Sequence, residues 1–118
     1  MNWFSKKAAE DKPSFSYNEG VIIAIRLGDS DESSQGKEFD AIQSLESEIA
    51  KILPADSGVD GDDFGDGECT IYVYGPSADG IWGVVEDVLR RSMFSHIDIT
   101  LQYGEPGGKD TKTRSFTL

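Results

Sequence analysis

The sequence predicts an α+β domain of the ferredoxin-like class: a β-α-β-β-α-β sheet with two helices on one face and an extra C-terminal edge strand. Three observations carry that expectation. Two stretches, 37–53 and 77–93, repeat apolar residues at three- and four-residue steps, as a helix with one buried stripe requires. Strand-like runs rich in β-branched residues flank them. Between the first helix and the run at Glu68–Tyr74 lies an acidic, glycine-rich stretch, Ser57–Phe64, and the topology closes when it pairs with that run.

The first strand is Val21–Leu27, with Val21, Ile23, Ile25 and Leu27 on one side and Ile22, Ala24 and Arg26 on the other. Phe15-Ser16-Tyr17 either extends it or forms a short hairpin partner across Asn18-Glu19-Gly20. Residues 28–36 read as a polar loop. Phe39, Ile42, Leu45, Ile49, Ile52 and Leu53 then form the stripe of the first helix, with Asp40, Gln43, Ser47 and Lys51 opposite and Pro54 as its stop. In the second helix Ser77 is placed as N-cap and Asp79 lies in the first turn, while Arg90 and Arg91 favour the C-terminal end. Ile81, Trp82, Val84, Val85, Val88, Leu89 and Met93 share half its circumference. Gly80 and Gly83 project to the polar side without a structural reason. Ile97–Tyr103 alternates most regularly of all, and 111–118 returns as the edge strand with Phe116 and Leu118.

At 118 residues the chain suits one domain, read as 14–118 behind a flexible lead-in over 1–13 whose bulky apolar groups are Trp3 and Phe4. Such a domain buries roughly two-thirds of the surface its unfolded chain exposes. No apolar run is long enough to span a bilayer, and the N-terminus lacks the apolar core of a signal peptide, so the expected location is the cytoplasm. The single cysteine, Cys69, has no partner for an internal disulfide.

Charge is the most informative bulk property. Thirteen carboxylates stand between Asp29 and Glu68 against Lys37 and Lys51, so this segment alone accounts for the net charge of −11. A field of that sign repels phosphate backbones and anionic lipid and draws a basic partner inward. Neither nucleic acid nor membrane is an expected partner. Solvation alone is the plainer explanation of the same charge.

The run Glu68-Cys-Thr-Ile-Tyr-Val-Tyr-Gly-Pro76, followed by Ser77-Ala-Asp79, Ile81-Trp82 and the later Tyr103-Gly104 with Pro106-Gly107, resembles a group of small uncharacterised bacterial α+β proteins. In that group a Tyr-x-Tyr-Gly-Pro strand end leads into a helix, and a second Tyr-Gly-Pro-type turn follows the last core strand. Here Glu105 interrupts the second turn. The resemblance covers the C-terminal half; it implies an α+β fold and assigns no activity.

The residues present exclude most site chemistries. An EF-hand loop begun at Asp56 has Gly58 at its third position and Gly67 at its twelfth, with a strand following, so no metal site is expected and Asp-Gly turns account for the composition. Cys69 alternates with Ile71 and Val73 and therefore faces the core, away from nucleophilic work with His96. No Walker loop or dinucleotide fingerprint is present, and no cofactor is expected. Tyr72 and Tyr74 fall with Arg26 on the open sheet face, which suits packing or a protein interface; with Arg26 as the sole base beside them, they do not make an RNA-stacking platform.

The expected function is a non-enzymatic protein-binding module, an inhibitor or immunity-type protein whose acidic surface of Asp60, Asp62, Asp63, Asp66 and Glu68 receives a basic partner. Homodimerisation through the open face at Tyr72, Tyr74 and Arg26 is the alternative. A small enzyme using carboxylates is a third.

Overall fold

The computed structural model describes residues 16–28 and 32–118. The elements follow in the order β1 (Glu19–Arg26), α1 (Glu32–Ile52), β2 (Gly58–Gly65), β3 (Glu68–Gly75), α2 (Ala78–Arg90), β4 (Ile97–Tyr103) and β5 (Lys112–Thr117). The expected lead-in over 1–13, Phe15 and the loop acids Asp29 and Asp31 lie outside the described residues.

The protein is α+β, with one antiparallel five-stranded sheet in the order β2-β3-β1-β4-β5. This is not the plain ferredoxin-like order, because β5 extends the sheet beyond β4. Each helix lies in a connection that passes over one strand: β1-α1-β2 crosses β3, and β3-α2-β4 crosses β1.

Strand alternation decides which side chains enter the core. Val21, Ile23 and Ile25 of β1 stand level with Val73, Ile71 and Cys69 of β3 and with Leu101, Ile99 and Ile97 of β4. All nine are buried on one sheet face under Ile42, Leu45 and Ile49 of α1 and Ile81, Val85, Val88 and Leu89 of α2. Both helices therefore cover the same face. No polar or charged residue is buried among those described.

The expected helix and strand bounds need a few corrections. Helix α1 starts at Glu32, within the expected loop over 28–36; its first residues, Glu-Ser-Ser-Gln-Gly, add nothing to an apolar stripe by which the pattern could mark the start. Phe39 and Ile52, expected in that stripe, are 50% and 40% exposed. Met93 lies past the end of α2 and is exposed. Trp82 does not turn inward fully; it packs edge-on against Phe116 of β5, with ring centroids 5.2 Å apart, and so fastens the edge strand to α2.

Capping follows the sequence closely at α2. Ser77 is extended at the N-cap, and its Oγ accepts from the Gly80 amide at 3.0 Å. Glu19 of β1 adds a carboxylate that accepts from the Ala78 amide at 2.7 Å, where the helix dipole favours negative charge. Asp79 accepts from the Tyr103 hydroxyl at 2.7 Å, joining the first helical turn to β4.

Candidate partner-binding surface

The acidic stretch forms the outer hairpin of the sheet. Asp66 and Gly67, at φ 53° and 74°, are the two loop residues between Gly65 and Glu68, and positive φ at both is the mark of a type I′ turn. Asp-Gly is the preferred pair for that geometry. Earlier in β2 the register slips between Val59 and Gly61, leaving Asp60 as the extra residue of a β-bulge.

That bulge redistributes the acids. Val59 faces the core side opposite Val73, and after the extra residue Asp62 and Phe64 return to that side opposite Ile71 and Cys69. Gly61 and Asp63 stand on the open face opposite Tyr72 and Thr70, and Glu68 is level with Arg26. The five acids expected on one surface are thus divided between two faces and a tip. Asp60, Asp62, Asp63 and Asp66 are exposed and Glu68 is half-buried.

Two of them already have intramolecular partners. The Tyr17 hydroxyl donates to Asp60 Oδ1, and this bond, with burial and the nearby carboxylate charge, raises the Tyr17 pKa to about 12. The Tyr17 ring lies 4.9 Å from that of Tyr74. Tyr74 in turn covers Gly20, where an added Cβ would stand 2.7 Å from the ring carbons. Tyr74 is on the open face by register, yet it is only 8% exposed. Of the three residues expected as a face interface, Tyr72 is half-buried and Arg26 exposed, while Tyr74 is a packed contact.

Asp62 meets Glu46 of α1. Burial first, then the hydrogen bond and charge of Asp62, raise the Glu46 carboxyl to about 7. Below this pair Cys69 is fully buried, and desolvation together with the Asp62, Glu46 and Asp63 charges pushes its thiol up to about 12. A thiol held protonated in the core is a poor nucleophile.

Beside Asp62 an aromatic pair reaches solvent. Phe39 of α1 and Phe64 of β2 lie 5.6 Å apart between centroids, tilted by 34°, and are 50% and 40% exposed. At the sheet end near the start of α1, an open cleft is lined by residues that include Arg26, Glu38, Met93 and His96; Glu38 accepts from the Gly28 amide there at 2.6 Å. Among the described residues no group of three or more His, Cys, Asp and Glu side chains is placed to hold a metal ion, and no helix is long and apolar enough to cross a membrane.

Glu46, Tyr17 and the Phe39–Phe64 pair were missed by sequence reasoning. Glu46 follows Leu45 at the border of the stripe, so only the position of β2 reveals its neighbour. Comparison with protein-family models, with curated proteins and with solved structures finds no match to the chain.

Proposed function

We propose that the chain is a non-enzymatic protein-binding module whose acidic outer hairpin receives a basic partner. One observation carries this reading. All the excess negative charge belongs to residues 29–68, and its last part forms an exposed edge hairpin with Asp60, Asp62, Asp63 and Asp66 outside the core. A concentrated field on a projecting edge speeds encounter with a basic surface and disfavours nucleic acid and anionic membrane. An inhibitor or immunity-type protein for a basic toxin is one role of this kind, carried out in the cytoplasm. The arrangement of β1 to β4 is read as a ferredoxin-like core with β5 appended, in keeping with the small bacterial α+β group that the Tyr-x-Tyr-Gly-Pro run resembles.

Capture of the partner from extracts of the source cells, followed by binding measurements on the purified pair, tests the proposal. A basic partner whose affinity falls as salt rises supports it. An acidic partner, or affinity indifferent to salt, overturns it.

The alternative of a dimer through the open face is weakened by Tyr74, because its ring is occupied by Tyr17 and Gly20. The carboxylate-enzyme reading has one feature in its favour, the facing Glu46 and Asp62. Asp62 is exposed, however, and Glu46 is only half-buried, so the pair stands at an open seam between helix and edge strand rather than in an enclosed pocket.

A further inference from the structure

We propose that the outer edge of β2 from Gly61 to Gly65 takes an extended basic segment of the partner as a sixth strand, with the Phe39–Phe64 pair holding an apolar residue of that segment. This rests on the proposed function and specifies how the partner is engaged.

Three features converge on this edge. Among the described residues β2 pairs with β3 alone, so its outer side presents backbone groups that an added strand can bond. The bulge at Asp60 interrupts regular geometry at the start of β2 and leaves Gly61–Gly65 in register. Next to that stretch, on the helix side, stands the exposed aromatic pair, an apolar grip set against a strand edge.

Alternation then dictates the sequence the edge prefers. A residue laid beside Asp62 on the helix side meets a carboxylate, and the next, beside Asp63 on the open side, meets another. The third returns to the helix side beside Phe64 and Phe39. Read in the direction of β2, the matching segment is basic-basic-apolar. The carboxylates that admit such a strand repel the β2 edge of a second copy, so the edge discriminates by charge.

The test is an NMR titration of the full, isotope-labelled chain with a capped synthetic peptide carrying Lys-Arg-Ile between threonines, beside a control reordered as Lys-Ile-Arg. The expected result is saturable shifts centred on the amides of Gly61 to Gly65, at least about tenfold weaker binding of the control, and a similar loss with Phe39→Ala, whose amide spectrum away from the substitution matches that of the parent chain. Equal binding of both peptides, or shifts centred on Tyr72 and Arg26, overturns the proposal. So does concentration-dependent broadening of the β2 amides before peptide is added, which assigns the edge to the Lys112–Arg114 strand of a second copy. If a captured basic partner binds with salt-dependent affinity yet leaves the Gly61–Gly65 amides unmoved, this inference fails and the proposed function stands. If neither partner nor peptide binds, both fail.

Discussion

Glu46 on α1 and Asp62 on β2 face each other as two carboxylates across the seam between helix and edge strand, and the Glu46 carboxyl keeps its proton up to about pH 7. In the unfolded chain the same group titrates near 4.5. The folded state therefore binds the extra proton between these values. The stability this group contributes is fully present below about pH 4.5 and is lost as pH rises through 7. Replacing Glu46 with Gln keeps the hydrogen bond and removes the titration. Denaturant midpoints should show E46Q gaining on the parent chain as pH is raised from 5 to 8, whereas a difference constant with pH would refute the raised Glu46 titration.

Tyr17 connects the start of the described chain to the bulge. Its hydroxyl bonds Asp60 while its ring covers Tyr74, so the two contacts can be separated by substitution. Tyr17→Phe should remove one late-ionising phenol from a spectrophotometric alkaline titration, that near pH 12, and cost no more than about 1 kcal/mol in stability. Tyr17→Ala should cost more, because it also uncovers the Tyr74 ring. Equal losses in the two variants would show that the ring contact contributes nothing.

Ile23 lies at the centre of the central strand, level with Ile71 on one side and Ile99 on the other, and is fully buried. Ile23→Ala removes apolar volume at the centre of a core that the two flanking strands and both helices share, where the neighbours cannot all collapse inward. The expected loss is about 2–5 kcal/mol in chemical denaturation.

Ser77 bonds the free Gly80 amide at the start of α2. Ser77→Ala should cost about 1 kcal/mol, with Glu19 still holding the Ala78 amide. A Ser77→Asp variant should retain most of the stability in the same thermal melts, since aspartate also caps.

Most of the fold was legible because its signals are local. The alternation of Ile97–Tyr103, the Ser77 cap and the stop at Pro54 each depend on neighbours within a few residues, and the observed bounds follow them. The candidate surface was less legible for one physical reason. A strand has a side-chain period of two, so the single extra residue at Asp60 reverses the side on which every later residue of β2 falls. Gly61 inside the run is the one local hint of a bulge, but it does not say which residue is extra, and without that Asp62 cannot be assigned to Glu46 or Phe64 to Phe39. Tyr74 was placed on the correct face, but its cover, Tyr17, comes from outside the core strands and has no periodicity to betray it.

The central claim is that exposed carboxylates of the outer hairpin attract a basic protein. It is tested most directly by measuring the partner's Kd at about 0.02 M and about 0.5 M salt, with screening lengths well above and well below roughly 10 Å, for the parent chain and for a variant combining Asp63→Lys with Asp66→Asn, which keeps a residue suited to the turn. The account predicts a Kd that rises steeply with salt and a loss of at least about tenfold in the variant at low salt. A Kd that ignores both the salt and the charge reversal would contradict it.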